Sequence, residues 1–206
     1  LISTIGAFIG DRQIDTGLHV TNPDPFTLQS LLKRALASGC RYVVLEVTSH
    51  GLQQFRNWGI DFRVAVYTQI KSDHLDYHGG KKQYRLAKAK LLEQAKTVVL
   101  NRSDPSFSYL KKLADRREIP VTTYTAEDDI ESQNNEAALT AAEILGVRRE
   151  DALRSLSSVP VVTGRMDVVM RNPFTLVIDF ALTPEIFERA LKKLRTMVKG
   201  RARLIA

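Results

Sequence analysis

The fold of this 206-residue chain is indicated by the stretch Tyr-Val-Val-Leu-Glu-Val-Thr-Ser-His-Gly-Leu at residues 42–52. Its first part, residues 42–47, is a short and mostly apolar run, which predicts a buried strand. Runs of the same kind recur at residues 64–68 and 97–100, and helical patterns lie between them. Alternating strands and helices predict an α/β fold in which helices flank a mostly parallel sheet.

Two helices are predicted between and beside these strands. The first covers residues 26–38 and places its apolar side chains on one face, at Leu28, Leu31, Leu32, Ala35 and Leu36. Gly39 is predicted to end this helix. The second covers residues 82–94, where basic side chains recur at helical spacing. That pattern is typical of a solvent-exposed face, or of a helix that faces a phosphate-bearing substrate.

The chain divides near residues 160–164. Beyond that point the pattern predicts strands at 166–170 and 175–180, a helix that starts at Pro184, and another strand at 203–206. We therefore assign residues 1–160 to one domain and residues 161–206 to the truncated start of a second α/β domain.

The composition argues against several classes of protein. The formal charge is +7 and 44 % of residues are hydrophobic, yet no apolar stretch approaches the roughly 18 residues of a membrane span. No compact basic run or nucleic-acid-binding motif occurs, so neither nucleic acid nor a membrane is expected as a partner. The single cysteine, Cys40, permits no internal disulfide, as is typical of the reducing cytoplasm. Residues 1–6 predict no signal peptide, and without an initiator Met the chain is interpreted as the middle of a longer protein.

Polar clusters follow two successive predicted strands. Glu46 is followed within four residues by two hydroxyls and His50, and the second cluster consists of Asp73, His74, Asp76 and His78. In α/β sheets ligands bind at the carboxyl ends of the strands. Carboxylates and imidazoles are ligands for divalent metals. The second cluster alone would also suit a metal-dependent phosphohydrolase, or a polar loop whose side chains cap the backbone.

These clusters, with four other motifs, resemble the Mur ligases, and within that family the UDP-N-acetylmuramoyl-tripeptide synthetases. The matching segments are E-V-T-S-H-G-L at 46–52, D-H-L-D-Y-H-G at 73–79, T-N-P-D-P at 21–25, N-x-x-D-P at 101–105, G-R-M-D at 164–167 and D-F-A-L-T-P at 179–184. They keep the family order across nearly the whole chain. The resemblance implies a cytoplasmic, monomeric enzyme of peptidoglycan synthesis.

The resemblance also implies a reaction. ATP would phosphorylate the terminal carboxylate of a UDP-MurNAc-peptide, and the amine of an incoming amino acid would attack the acyl phosphate, with Mg²⁺ neutralising the phosphate charge. Glu46 and His74 would be magnesium ligands and catalytic residues, together with Lys88, which lies where the family carries a carbamylated lysine. The implied substrate-binding residues are Thr21, Asn22, Thr48, Gln54 and Arg56. The implied nucleotide-binding residues are Asn135, Arg165 and Asp179.

The sequence also departs from the family pattern. The Gly-rich phosphate-binding loop is missing, and the family places it just before Leu1; Leu182 replaces a histidine beside the nucleotide. The connection between Tyr124 and Asn135 is too short for the strands that relatives carry there, so an abnormal link is predicted between about Ala126 and Asn135. The chain by itself is therefore expected to be inactive. The alternative is a non-catalytic, degenerate module that binds a UDP-sugar peptide or a protein partner.

Overall fold

The computed structural model describes residues 1–16, 20–70, 74–126, 130–159, 162–181 and 183–198, together with 203 and 205. The chain forms two compact units, Leu1–Leu153 and Arg154–Ala206.

The first unit contains six strands and six complete helices, with one short 3₁₀ helix, among the described residues. Its strands are β1 (Ile2–Ser3), β2 (Gly6–Ile9), β3 (Arg12–Ile14), β4 (Ala65–Tyr67), β5 (Val98–Asn101) and β6 (Val121–Tyr124). Its helices are α1 (Pro25–Ala37), α2 (Ser49–Gln53), α3 (Leu75–His78), α4 (Lys81–Ala89), α5 (Phe107–Arg116) and α6 (Ile130–Ile144). The 3₁₀ helix, Lys90–Gln94, continues α4, so the second predicted helix is present in two parts.

A parallel sheet in the order β4-β5-β6 forms the centre of this unit. All four residues of β5 are buried, because side chains cover both of its faces. Val98 and Leu100 pack with Leu92 and Leu110, whereas Val99 packs with Tyr124 and Ala137 of α6. The predicted α/β fold with helices around a parallel sheet is thereby confirmed.

A smaller antiparallel sheet, β1-β2-β3, packs against α1 and was not predicted from the sequence. The buried face of α1 carries Leu28 and Leu31, which contact Ile2 and Ala7. The helix begins where the Asp24 carboxylate accepts hydrogen bonds from two backbone N–H groups of the first turn. Leu36, predicted on the buried face, is exposed instead.

The prediction of a buried strand at residues 42–47 is wrong, because the segment is largely exposed and forms no regular strand. The segment makes an isolated parallel bridge, Ile2 with Leu45, formed by Ile2 N donating to Val44 O at 2.9 Å and Glu46 N donating to Ile2 O at 2.9 Å. The Val44 side chain is 66 % exposed. Residues 44–46 pair as a strand would, but β1, which is their partner, is only two residues long and covers little of the segment.

The second unit is built on an antiparallel hairpin, β7 (Asp167–Met170) with β8 (Leu176–Ile178). Helix α7 (Arg149–Ser157) spans the division between the units, and α8 (Pro184–Met197) starts at a Thr183 cap with Pro in its first turn. Both predicted strands and the predicted helix are confirmed. The strand predicted at 203–206 lies largely outside the described residues. No helix among the described residues is long and apolar enough to cross a membrane.

Asn57 is a buried polar residue that lacks hydrogen bonds. Its side chain is 1 % exposed, and neither its amide nitrogen nor its amide oxygen has a partner among the described residues. A buried polar group without a partner costs about 1–3 kcal/mol. We therefore expect Asn57→Val, measured by urea unfolding, to raise the free energy of unfolding by about 1–2 kcal/mol. The exposed Asn134→Val is the control, and an unchanged or lower stability of Asn57→Val would contradict the prediction.

Candidate functional site

The buried amide of Asn22 joins three segments of the first unit. Its Nδ2 donates to Glu46 O at 2.6 Å, and its Oδ1 accepts from Thr48 N at 2.9 Å and from Thr48 Oγ1 at 2.8 Å. Its backbone carbonyl accepts from Arg56 NH1 at 2.6 Å. Four of the predicted site residues are thus connected through one side chain and its backbone.

The Glu46 carboxylate is held from the opposite side by the β1–β2 turn. Glu46 Oε2 accepts from Thr4 N at 3.0 Å and from Thr4 Oγ1 at 3.1 Å. Thr4 Oγ1 also lies 2.8 Å from Thr21 Oγ1. The second carboxylate oxygen, Oε1, meets no donor among the described residues and Glu46 is exposed, so this oxygen is available to a ligand.

Arg56 and Gln54 line one wall of an open cavity of about 280 Å³, which also contacts Pro23 and Asp24. Arg56 Nε donates to Gln54 Oε1 at 2.8 Å, and Gln54 Nε2 donates to Tyr77 OH at 2.9 Å. A guanidinium oriented in this way suits a carboxylate or a phosphate. The chain of hydrogen bonds connects the Asn22 network to α3.

Three histidines and two tyrosines pack together beside this chain. The His50 ring lies 4.6 Å from His74, 4.1 Å from Tyr77 and 5.3 Å from His78, measured between ring centroids. His78 is buried, contacts Tyr84 at 5.4 Å, and its Nε2 lies 3.0 Å from Ser49 Oγ at the start of α2. The two predicted polar clusters therefore meet. His74 follows β4 in the chain, whereas its neighbour His50 follows a segment that forms only an isolated bridge and not the predicted strand.

Burial and neighbouring positive charge favour the neutral imidazole in this cluster. Desolvation, followed by the charges of His74 and His78, lowers the pKa of His50 below its ordinary value. Desolvation, followed by the charges of His74 and Lys88, lowers the pKa of His78. Both rings are therefore predominantly neutral at neutral pH.

Lys88 lies near the end of α4 and is half-buried. Its Nζ lies 6.0 Å from the centre of the Tyr84 ring, and its charge acts on His78. The side chain therefore lies on the helix face that carries Tyr84, beside the histidine cluster. Whether Glu46, His74 and Lys88 share one metal stays a prediction.

A polar clamp fixes the backbone that leads from β4 toward His74. Asn101 Nδ2 donates to Thr68 O at 3.1 Å, and Asp104 Oδ2 accepts from Ile70 N at 2.7 Å. Tyr124 OH lies 3.4 Å from the same Thr68 carbonyl. Asn101 and Asp104 of the N-x-x-D-P motif thus fix the backbone at the carboxyl end of β4.

The predicted nucleotide-binding residues lie in different units. In the second unit Asp179 Oδ2 accepts from Met166 N at 2.7 Å, and Arg165 NH1 donates to Phe180 O at 3.3 Å. The hairpin therefore brings Arg165 and Asp179 together. Two other motif residues, Asp73 of the segment at 73–79 and Leu182 of the segment at 179–184, lie outside the described residues. Asn135 is exposed on α6 of the first unit. Of the range in which the abnormal link is predicted, about Ala126 to Asn135, residues 130–135 lie in the continuous helix α6, whereas residues 127–129 lie outside the described residues.

The donor set fits a magnesium ion that is shared with a substrate. Within the described part of the chain no three His, Cys, Asp or Glu residues form a group that could hold a metal ion. Mg²⁺, however, is usually bound by one or two carboxylates together with substrate phosphates and water. The unpartnered Oε1 of Glu46 meets that requirement, and His74 Nδ1 or Nε2 is of a suitable type.

Sequence reasoning missed Thr4, Ser49 and Tyr77 as members of the site. Ser49 and Tyr77 lie inside motifs that were quoted, so their positions were a usable signal. Thr4 had none, because its contact with Glu46 spans 42 residues and depends on β1 lying beside residues 44–46.

Gly51 is required by the buried Asn22 rather than by backbone conformation. A Cβ on Gly51 would overlap Asn22 Oδ1. Alanine normally stabilises a helix by about 0.8–1 kcal/mol over glycine, but here we expect Gly51→Ala to destabilise the protein by about 1–3 kcal/mol in urea unfolding. In an Asn22→Ala background the same change should be neutral or stabilising, and a cost that persists there would contradict the predicted overlap.

The lowered pKa of His78 predicts a pH dependence of stability. The unfolded histidine, with an ordinary pKa of 6.5, binds a proton before the folded one does. The contribution of His78 to the free energy of unfolding is therefore fully present above pH 6.5 and decreases as the pH falls below it. His78→Gln retains a partner for Ser49 and removes this titration, so its stability should change less than that of the wild type between about pH 7.5 and about pH 5.5. Equal slopes in urea unfolding would refute the prediction.

The family described as Mur ligase middle domain matches residues 1–159. A UDP-N-acetylmuramoyl-L-alanyl-D-glutamate–2,6-diaminopimelate ligase of Bacteroides fragilis is 31 % identical over 238 positions, which cover 100 % of this chain and 48 % of the relative. A UDP-N-acetylmuramyl-tripeptide synthetase of Deinococcus radiodurans is 32 % identical over 239 positions, covering 97 % of this chain and 48 % of the relative.

The solved structures show the same likeness. A structure of a UDP-N-acetylmuramoyl-L-alanyl-D-glutamate–2,6-diaminopimelate ligase superposes with a TM-score of 0.78 at 26 % identity, covering 94 % of this chain and 47 % of that chain. The chain thus spans about half the length of the curated relatives it matches. The family match over residues 1–159 and the relatives that align along the whole chain show that this protein belongs to the Mur ligase middle-domain family.

Proposed function

We propose that the protein to which this chain belongs is an ATP-dependent ligase of peptidoglycan synthesis, which joins an amino acid to a UDP-MurNAc-peptide through an acyl phosphate. The observation that carries the proposal is the hydrogen-bond network around Asn22. It connects the segment of Thr21 and Asn22, the segment of Glu46 and Thr48, and Arg56. These are the segments in which the motif resemblance implies substrate-binding residues.

The substrate side of the site offers a cation to an anionic molecule. Arg56 and Gln54 line the open cavity, and the Thr21 hydroxyl lies in the segment that the Asn22 network holds. A phosphate or carboxylate of a UDP-MurNAc-peptide would pair with the Arg56 guanidinium, whose NH1 and Nε are already oriented by Asn22 and Gln54. Preorganised donors of this kind reduce the ordering that binding requires.

The catalytic side lies around Glu46 and the histidine cluster. In the proposed reaction the terminal carboxylate of the peptide attacks the γ-phosphate of ATP and ADP leaves. The amine of the amino acid then attacks the acyl carbon, and phosphate departs with the amide bond formed. Magnesium, when bound, neutralises the phosphate charge that accumulates during transfer.

Glu46, His74 and Lys88 are the residues that we assign to hold the metal. Glu46 offers Oε1 while Thr4 holds Oε2. Lys88 would act as a carbamate, because an ammonium would repel the cation and a carbamate attracts it. The half-buried position of Lys88 beside Tyr84 and His78 supports this assignment, since desolvation favours the neutral amine that carbamylation needs.

We assign residues 1–160 to the central domain and residues 161–206 to the beginning of the C-terminal domain. The family match ends at residue 159, and the compact units divide at Leu153 and Arg154, which supports a boundary in this region. Asn135 of the first domain and Arg165 and Asp179 of the second would bind the nucleotide. The location that we propose is the cytoplasm, and the assembly that we propose is a monomer.

Lys88→Ala tests this assignment in the full-length protein. The variant should lose most of the ligase activity, at least about 100-fold, because a metal ligand is removed. Activity is measured as phosphate release and as amide product from ATP, Mg²⁺, UDP-MurNAc-peptide and a panel of amino acids. Added bicarbonate should not restore the alanine variant.

Lys112→Ala, an exposed lysine on α5, is the matched control and should retain wild-type turnover. Near-normal turnover of Lys88→Ala would remove the carbamate role. A full-length wild type that binds the UDP-MurNAc-peptide but releases no phosphate and forms no product would refute the ligase and favour a binding module.

A further inference from the structure

Thr4 occupies a position between the two halves of the candidate site. It follows β1 directly and forms a two-residue turn with Ile5 before β2. Ile2 is bonded on both sides of Leu45 in the parallel bridge, which sets Thr4 beside Glu46. The turn is held further by Gln13 Nε2, which donates to Ile5 O at 3.1 Å.

Two donors of Thr4 converge on a single oxygen of Glu46. The backbone N–H and the hydroxyl both reach Oε2, at 3.0 and 3.1 Å. A carboxylate bound at one oxygen by two donors from a fixed turn cannot rotate freely, so the direction of its other oxygen is determined. Hydrogen bonds to a charged group are stronger than those between neutral groups, so two of them on one oxygen can select one rotamer of an exposed side chain.

The same hydroxyl also orients Thr21. Because the Thr4 hydroxyl hydrogen is donated to Glu46, its oxygen acts as the acceptor in the 2.8 Å contact with Thr21 Oγ1. Thr21 must then donate, which leaves its lone pairs free to accept from a substrate. The Thr4 hydroxyl thus holds the Glu46 carboxylate and also determines that Thr21 is the donor in their shared hydrogen bond.

We propose that Thr4 is a positioning residue that directs Glu46 Oε1 toward a divalent cation and sets Thr21 as an acceptor for the substrate. The proposal rests on the proposed function for the identity of the reaction. Its physical content, the orientation of Glu46 for a divalent cation, is independent of which reaction follows.

The test uses Thr4→Val in the full-length protein, because valine matches threonine in shape and keeps the backbone N–H. Mn²⁺ binding in the presence of ATP is measured by electron paramagnetic resonance. We expect the dissociation constant for Mn²⁺ to rise about 10-fold, as is typical when a group that orients a metal ligand is removed. The Mg²⁺ concentration for half-maximal turnover should rise similarly and kcat should fall, while KM for the amino acid stays unchanged.

Two further variants separate positioning from general damage. Thr4→Ser retains the hydroxyl and should bind Mn²⁺ like the wild type. Thr122→Val removes a half-buried hydroxyl from β6, away from this turn, and should change neither binding nor turnover.

The proposal is overturned if Thr4→Val binds Mn²⁺ as tightly as the wild type, or if Thr4→Ser is as impaired as Thr4→Val. These outcomes are distinct from a failure of the proposed function. If the wild type forms no amide product, the ligase assignment fails, and the Mn²⁺ measurement on the three variants still decides the role of Thr4.

Discussion

The buried side-chain amide of Asn22, which makes three hydrogen bonds to two neighbouring residues, holds the site of this protein together. Asn22 is 2 % exposed, and its amide donates to one segment and accepts twice from another, while its backbone carbonyl receives Arg56. Removing such a group leaves buried partners unsatisfied, which costs about 1–3 kcal/mol for each. Gly51 leaves the space that this side chain fills. Asn22 therefore has two effects: it fixes Thr48 at the start of α2, and its carbonyl orients Arg56, which lines the open cavity.

A further series of contacts connects Arg56 with the histidine cluster. The chain from Arg56 through Gln54 to Tyr77 reaches the ring of His50, which contacts His74. His78 is buried among these rings, whereas His74 and Tyr77 are exposed. Desolvation, followed by the charge of His74, lowers the pKa values of both His50 and His78. Packing therefore acts on the charge of these two imidazoles in addition to residue type.

The clamp made by Asn101 and Asp104 shows how the parallel sheet serves the site. β5 is buried along its whole length and is the most constrained strand, and the residues at and just beyond its carboxyl end bond the backbone of residues 68 and 70. A rigid strand therefore fixes the backbone that directly follows β4. Ligand sites in α/β proteins lie at the carboxyl ends of strands, where backbone fixed in this way can position side chains.

The sequence alone determined the elements whose signal is local. The helix at Pro25–Ala37, the strands around Val66 and Val99 and the capped helix after Thr183 follow from periodicity, β-branched runs and capping residues, which act within a few residues. The motifs likewise predicted the candidate site residues, through their resemblance to the family, because motifs are properties of the chain. Only the tertiary structure decided which of them meet. The exposure of Val44 and the contact of Thr4 with Glu46 depend on the pairing of segments that are distant in sequence. Pairing across 42 residues leaves no periodic pattern in the sequence.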